Sequence, residues 1–388
     1  MKNKFIISID IIMYFFVFYL NFITFQNVTI YNYIKYIIII LGAIYCILNI
    51  KKIMGFKKVQ VLNILIFLLF MWSMVVSINA TDLSARNSTL ACFINYLCLI
   101  ESVFIVELSF IKKKEKLLFK YLWKFFSFFI VIQIFEIFIA LIKNDLYDLR
   151  WYLFGNKFNV ASLFLKALIF KILYDNFENR FNNKNNIVLI ISLIFVSKSV
   201  FCTTYLLVGI VLFALFITKI YKKNTIFNKF SLFFFIYLLS LTFIFWYPKL
   251  FDIKIINDLS IHFGENISDL SGRITVYNML PKICSGRLIE GYGFGTSYDV
   301  LMLYSWTADA QNGFWELVVN IGLVGAIIFS IILFLPFLDR YKSNKNNILY
   351  IYLIINVFIG FIEIPYNNSL LLVAIIATLI NKFNLEKN

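Results

Sequence analysis

Residues 60–79 read QVLNILIFLLFMWSMVVSIN, a run in which only Gln60, Asn63, Ser73, Ser77 and Asn79 are polar. A helix needs about 20 predominantly apolar residues to cross the hydrocarbon core of a bilayer. Blocks of this kind recur along the 388-residue chain, which is 61% hydrophobic with a mean hydropathy of +0.84. A soluble domain is usually about half apolar or less. The composition therefore excludes a soluble protein and predicts one that crosses a membrane many times.

Twelve apolar segments are predicted to span the membrane. They are 4–24, 31–50, 60–79, 90–110, 119–142, 158–176, 187–200, 203–220, 230–247, 313–335, 348–362 and 369–382. The first has no small-residue cleavage site before Gln26, so it is expected to be an uncleaved helix. The predicted fold is an all-α integral membrane protein with about 12 transmembrane helices and one large external loop that contains short helices. Its parts are helices one to nine (1–247), the loop (248–312) and helices ten to twelve (313–388).

The positions of Lys and Arg predict the orientation. Most of the 36 basic residues fall in one alternate set of connections, for example Lys51, Lys52, Lys112 and Lys113. Basic connections stay in the cytoplasm, so both termini are expected to be cytoplasmic and the loop 248–312 to lie outside the cytoplasmic (inner) membrane. The net charge of +15 mainly reflects this asymmetry. No basic cluster on a folded surface indicates a nucleic-acid partner.

The five cysteines and the single histidine, His262, show no metal-ligand spacing. The cysteines are interpreted as small apolar residues, most of them within spans, and neither a metal nor a cofactor is expected. Several ionisable residues fall inside predicted spans, where they are expensive and often functional. They are Asp10, Lys35, Glu101, Glu136 and Lys166.

The loop 248–312 is much longer than the other connections, and loops of this length are usually functional. Ser271-Gly272-Arg273 begins an apolar-periodic run to Ile283, which predicts a helix near the membrane surface. A glycine turn follows at 291–295, and Gln311-Asn312 leads into the tenth span. Asn312, Glu316 and Asn320 are four residues apart and should share one helix face.

These features, in this order, resemble the O-antigen ligase and polymerase superfamily of bacterial envelope polysaccharide enzymes. The resemblance covers roughly residues 145–330. It includes Arg150 with the Gly155-Asn156-Lys157-Phe158-Asn159 segment, Ser197-Lys198-Ser199, the glycine turn, and the Gly322-Leu-Val-Gly325 step. Many members, ligases above all, have His-Asn where this chain has Gln311-Asn312, and Gln cannot act as a general base.

The resemblance implies a metal-independent inverting glycosyltransferase that polymerises polyprenyl-diphosphate-linked oligosaccharide repeat units into O-antigen or capsular polysaccharide. Its leaving group is a lipid diphosphate, which Arg and Lys can neutralise. A flippase, a chain-length regulator and membrane lipids are the expected partners. The catalytic candidates are Arg273, Gln311 and Glu316, with Asp309 as an alternative base; the substrate-binding candidates are Arg150, Lys157, Lys198, Arg287, Gly293, Asn312 and Glu363.

Other functions compete with the polymerase. An O-antigen ligase would transfer finished glycan to the lipid A core, but Gln311 in place of His argues against it. A flippase for the same lipid-linked unit can also have 12 spans, although such transporters usually show repeat symmetry. A peptidoglycan glycosyltransferase uses a similar donor, but its loop motifs match less well.

Overall fold

The computed structural model of the chain describes residues 2–25, 28–54, 60–80, 87–147, 151–179, 183–218, 227–250, 273–339 and 346–384. Regular structure in these ranges is helical, apart from one isolated bridge between Tyr152 and Gly155. The predicted all-α class is therefore confirmed. The helices, in chain order, are α1 (Lys2–Asn21), α2 (Val28–Met54), α3 (Gln60–Ile78), α4 (Ser88–Ile111), α5 (Glu115–Ile142), α6 (Lys157–Glu178), α7 (Asn183–Ser199), α8 (Thr203–Ile217), α9 (Phe230–Leu250), α10 (Arg273–Ser285), α11 (Ser297–Ser305), α12 (Gly313–Leu338), α13 (Asn347–Ile359) and α14 (Asn368–Asn384).

Each of the twelve apolar segments predicted from the sequence coincides with one of these helices. Some of these twelve helices are shorter or more charged than a typical membrane span. An example is α6, which carries Lys166, Lys171 and Asp175 along its length. The chain is therefore an all-helical, multi-pass membrane protein. Within the described ranges, the helices long and apolar enough to cross a membrane lie at Thr29–Lys52, Gln60–Ile78, Ser88–Ile111, Glu115–Ile142, Phe230–Lys249 and Gly313–Leu338.

Two short helices, α13 and α14, lie in the centre of the bundle. Residues 348–357 of α13 and 369–381 of α14 are all buried, and α14 packs on α4, α12 and α13. In contrast, α2 exposes a continuous apolar face that includes Tyr33, Ile37, Ile40 and Leu48. An exposed apolar face of this length suits a lipid solvent and not water.

Asparagine side chains cap the helices that border the candidate site. The Asn156 side-chain oxygen accepts the Asn159 amide at the start of α6 (3.0 Å). At the start of α12, the Asn312 oxygen accepts the amides of Phe314 (3.1 Å) and Trp315 (3.2 Å). Such caps satisfy amide donors that the first helical turn leaves without partners. The first residue of each helix is thereby held in place at the same end of the bundle.

Helix α12 is broken at Gly322, where the backbone has φ +67° and ψ 178°. A left-handed φ with this ψ suits only glycine. A Cβ at Gly322 would lie 2.1 Å from the Ile289 carbonyl oxygen, so the space also requires glycine. The break leaves backbone groups of α12 without their helical partners.

The segment 288–293 supplies the missing hydrogen bonds. Tyr292 and Gly293 donate their amides to the carbonyls of Val319 (2.8 Å) and Asn320 (2.9 Å), and the Leu323 amide donates to the Leu288 carbonyl (2.8 Å). The Trp72 indole donates to the Ile321 carbonyl (2.8 Å). Irregular backbone within a membrane helix needs such partners because lipid offers none. The break therefore anchors the segment that follows α10 directly to α12.

Candidate functional site

The site is built around an ion pair between Arg273 and Glu363. Arg273 is the first residue of α10, and Glu363 follows the end of α13, 90 residues later in the chain. One guanidinium nitrogen of Arg273, Nη2, lies 3.4 Å from the Glu363 carboxylate oxygen Oε1. Both side chains are largely buried, with exposed fractions of 21% and 18%. The structure thus brings together a predicted catalytic residue and a predicted substrate-binding residue.

The Tyr277 side chain holds this arrangement in place. It lies one helical turn after Arg273, and its buried hydroxyl contacts the carbonyls of Gln311 (2.7 Å) and Phe361 (3.0 Å). One residue therefore ties α10 to the segment before α12 and to the segment after α13. Because residues four apart share a helix face, Arg273 is directed toward the same two segments.

A polar cavity of about 270 Å³ lies beside the ion pair. Its volume is near the lower end of the range for small-molecule sites, which is about 300–1,000 Å³. Glu363 lines the cavity but Arg273 does not, so Arg273 reaches the cavity only through its partner. The polar residues that line it are Asn156, Asn159, Ser162, Lys166, Tyr205, Asp309, Tyr352, Asn356, Glu363, Asn367 and Ser369.

Burial shifts the titration of the two carboxyl groups that line the cavity. It raises the pKa of Glu363 to about 7, while the positive charges of Arg273 and Lys157 act in the opposite direction. Burial also raises the pKa of Asp309, against the hydrogen bond from the Gln311 amide and the charge of Arg273. Carboxyl groups with such shifts are typical of functional sites. The charges of Arg273, Lys157, Asp309 and Glu363 therefore interact at one end of the bundle.

Two buried polar atoms near this pair have no hydrogen-bond partner within the described part of the chain. They are Nε of Arg273 and the side-chain oxygen Oε1 of Gln311. Buried polar groups are nearly always hydrogen-bonded in folded proteins. One donor of Arg273 and one acceptor of Gln311 are therefore not used by the described residues.

Glu316 and Asn312, two further predicted site residues, bind other parts of the protein. The Glu316 carboxylate accepts the Ala310 amide (3.0 Å) and the Asn320 side-chain amide (2.9 Å), as expected from their shared face. The Asn312 side-chain nitrogen donates to the carbonyls of Ser240 (3.1 Å) and Phe361 (3.3 Å). Neither residue lines the cavity. Both instead hold the segment 309–312 in position.

The glycine turn, Arg287 and Lys198 do not line the cavity. A Cβ on Gly293, which has φ +114°, would lie 2.2 Å from the Ala80 Cβ, so this glycine allows the loop to pack on α3 and α4. The Arg287 guanidinium lies 5.6 Å from the centre of the Tyr292 ring. Lys198 is exposed at the end of α7. Arg150, His262, Ser271 and Gly272 lie outside the described residues.

The start of α6 is shaped by a tight turn next to the cavity. Tyr152 and Gly155 exchange two backbone hydrogen bonds, of 2.8 and 3.0 Å. The Leu153 amide donates to the Glu136 carboxylate (2.9 Å). Glu136 therefore supports this turn and is not a partner of Lys166, the other in-span ionisable residue of the neighbouring helix. The turn places Asn156 and Asn159 at the cavity.

Sequence reasoning did not assign a role to Tyr277 or to Lys166. Tyr277 belongs to the helical period that follows Arg273. A hydroxyl four residues after an arginine is the signal that could have identified it. Lys166 is predicted from the sequence only as an ionisable residue within a span. The spacing of Asn159, Ser162 and Lys166 along one face of α6 is the signal that could have identified it. Within the described residues, no group of three His, Cys, Asp or Glu side chains is arranged to hold a metal ion.

No family model, no curated protein and no solved structure matches this chain. The fold and the site therefore define its class: a multi-pass helical membrane protein with a charged polar cavity at one end of the bundle. The particular function is argued from that cavity.

Proposed function

We propose that this chain is a glycan polymerase of the O-antigen ligase and polymerase superfamily. It joins polyprenyl-diphosphate-linked oligosaccharide repeat units at the outer face of the cytoplasmic membrane. In this proposal the twelve apolar helices all span the membrane, both termini are cytoplasmic, and residues 248–312 lie outside. The observation that carries it is the Arg273–Glu363 pair beside a polar cavity, at the end of the bundle where the 248–312 loop returns to α12.

The cavity suits a sugar better than an apolar ligand. Its lining includes amides and hydroxyls such as Asn156, Asn159, Ser162 and Ser369, which can exchange hydrogen bonds with sugar hydroxyls. In the proposal these groups orient the glycan, and no metal takes part.

Arg273 and Lys157 supply the positive charge that the leaving diphosphate requires. Charge grows on the leaving oxygen in the transition state, and cations positioned there lower the barrier. The guanidinium of Arg273 can bind two phosphate oxygens together, and its Nε has no hydrogen-bond partner among the described residues. In the resting state Glu363 holds this guanidinium, so the diphosphate displaces a carboxylate when it binds.

Asp309 is the base in this proposal. In an inverting displacement the base and the leaving group lie on opposite sides of the anomeric carbon. Glu363 contacts Arg273 directly, so it is badly placed to be the base if Arg273 holds the diphosphate. Glu316 is engaged with Ala310 and Asn320. Asp309 lines the cavity and has a raised pKa, which brings it closer to the range that suits general bases.

A deletion strain complemented with variants of this chain tests the proposal. Wild type should restore polymer, and Arg273→Ala should reduce polymerisation about 100-fold or more, leaving single repeat units. Lys282→Ala is the matched control, because Lys282 is an exposed basic residue of the same helix. It should restore polymer of normal length. Surface glycan is measured on gels, and lipid-linked intermediates are extracted and sized.

The same extracts separate the rival functions. Unchanged polymer length in the deletion strain would exclude a polymerase. Long glycan that stays on the lipid carrier would indicate a ligase, and repeat units trapped on the cytoplasmic face would indicate a flippase.

A further inference from the structure

Lys166 lies in the wall of the cavity, well inside the bundle. Asn159, Ser162 and Lys166 follow one face of α6, and all three line the cavity. Lys166 is nine residues beyond Lys157, which corresponds to about 14 Å along the helix axis. The cavity therefore extends from the helix end, where Lys157 and Glu363 lie, toward the middle of the bundle.

The ammonium group of Lys166 has no carboxylate within ion-pairing distance among the residues that the structure describes. Lys171, on the same helix, is paired with Asp175. An unpaired charge inside a membrane protein is expensive, and such residues usually mark a ligand or ion path. The half-buried side chain of Lys166 instead faces the cavity together with Tyr205, Tyr352 and Asn356.

The two carboxyl groups of the cavity do not neutralise Lys166. Asp309 lies just before α12 and Glu363 just after α13, and both interact with Arg273 at that end of the bundle. The inner part of the cavity therefore has one positive charge surrounded by neutral hydrogen-bonding groups. This combination favours a ligand that is polar and anionic.

We propose that Lys166 binds a second anionic group of the substrate, distinct from the one at Arg273. This inference rests on the proposed function, which makes the ligand a lipid-linked glycan. The anion is a carboxylate of an acidic sugar or a phosphate of the carrier. Lys166 lies about 14 Å along the axis of α6 from Lys157, away from the end of the bundle where Arg273 would hold the diphosphate, so a carboxylate within the repeat unit fits the geometry better. The substrate class is then an acidic oligosaccharide.

Thermal unfolding of the purified full-length chain in detergent tests this assignment. The probes are glucuronate, glucose and inorganic diphosphate, at equal ionic strength. Glucuronate should raise the Tm of wild type by about 2 °C at roughly tenfold its Kd, and glucose should raise it less. Lys166→Met should abolish the glucuronate effect, and Lys166→Arg should retain it. Because Lys166→Met removes an unpaired buried charge, it should unfold at the same temperature as wild type or higher.

The outcomes distinguish a sugar carboxylate from a carrier phosphate, and they separate this inference from the polymerase proposal. A shift by diphosphate and not glucuronate, lost in Lys166→Met, would support the site and identify the carrier phosphate as its ligand. Shifts that are absent, or unchanged in Lys166→Met, would overturn the assignment. The assay needs no polymerisation, so loss of the polymerase proposal in the deletion strain would leave a Lys166-dependent shift standing. Equally, normal polymer from Lys166→Met, together with no glucuronate or diphosphate shift in wild type, would reject only this inference.

Discussion

At the scale of single residues, the ion pair between Arg273 and Glu363 is the feature on which the proposed donor binding depends. The pair is largely buried, so its charges are poorly screened by solvent. The pKa of Glu363 is raised to about 7, so the carboxyl group changes charge in the physiological range. Below that pH it is mostly neutral and its attraction for the guanidinium is weak. Above it the carboxylate competes with any anionic ligand.

Donor binding should therefore weaken as the pH rises. If only the neutral form of Glu363 releases Arg273, the KM for the lipid-linked donor should increase about tenfold from about pH 6 to about pH 8. The donor diphosphate is substituted at both ends and does not titrate in this interval. Initial rates with extracted lipid-linked units measure the profile. Glu363→Gln should make the KM nearly independent of pH, and a wild-type KM that falls with rising pH would contradict the competition.

Tyr277→Phe tests the hydroxyl that connects three segments. Loss of the hydrogen bonds to the Gln311 and Phe361 carbonyls should lower the free energy of unfolding by about 1 kcal/mol. Activity should decrease as well, because Arg273 loses its support. Tyr298→Phe removes a hydroxyl from an exposed tyrosine of α11 and serves as the control. Equal Tm values for the two variants would show that the Tyr277 contacts do not stabilise the fold.

At the scale of elements, the break in α12 is the feature on which the loop depends. The chain after α10 returns along the gap at Gly322 and bonds to α12 on both sides of it. Gly291 lies on the loop side of this contact, and a Cβ there would lie 2.4 Å from the Gly322 nitrogen. Two glycines therefore allow two backbones to approach closely. The break gives a physical reason for Gly322, the first glycine of the Gly322-Leu-Val-Gly325 step.

Gly322→Ala should destabilise the protein by about 1–3 kcal/mol from backbone strain, with a further cost from the clash with Ile289. Gly286→Ala is the matched control, because nothing lies within 4 Å of a Cβ at that position. Its effect should stay within about 0.5 kcal/mol. Both are measured by thermal unfolding in detergent. A Gly322→Ala protein as stable as the control would mean that the helix can close across the break.

At the scale of the whole molecule, burial separates the helices of the bundle centre from those that face lipid. The centre, formed by α13 and α14, makes its contacts with other helices, while α2 presents its apolar side outward. Because α13 and α14 have only 13 and 17 residues, helix length alone does not identify the segments that belong to the bundle. The proposed topology assigns opposite sides of the membrane to the two ends of this bundle.

Cysteine labelling tests that assignment. Four of the native cysteines are buried and Cys46 is half-buried, so a variant without them is a suitable background. In intact spheroplasts, a membrane-impermeant maleimide should label Trp306→Cys, because Trp306 is 85% exposed next to α11. Lys51→Cys, which is exposed near the end of α2, should be labelled only after permeabilisation. The reverse pattern would invert the topology, and labelling of both in intact spheroplasts would reject it.

The sequence predicted those features of the site that depend on residues close together in the chain. The helix after Arg273 and the shared face of Glu316 and Asn320 were predicted because they follow from spacing within one segment. The sequence also named Arg273 and Glu363, but it gave no reason to pair them. For Asn312 and Gly293, the pattern indicated special positions without revealing the contacts with Ser240 and Ala80 that occupy them.

By itself, the sequence determined the all-helical class, the positions of the apolar helices and the membrane as their solvent. These follow from the length and hydrophobicity of contiguous runs, which are properties of neighbouring residues. Only the tertiary structure decided that Arg273 pairs with Glu363, that Tyr277 joins three segments, and that Lys166 faces a cavity without a carboxylate partner among the described residues. Each of these depends on how helices distant in sequence pack together, and hydrophobicity alone does not encode which polar side chains meet.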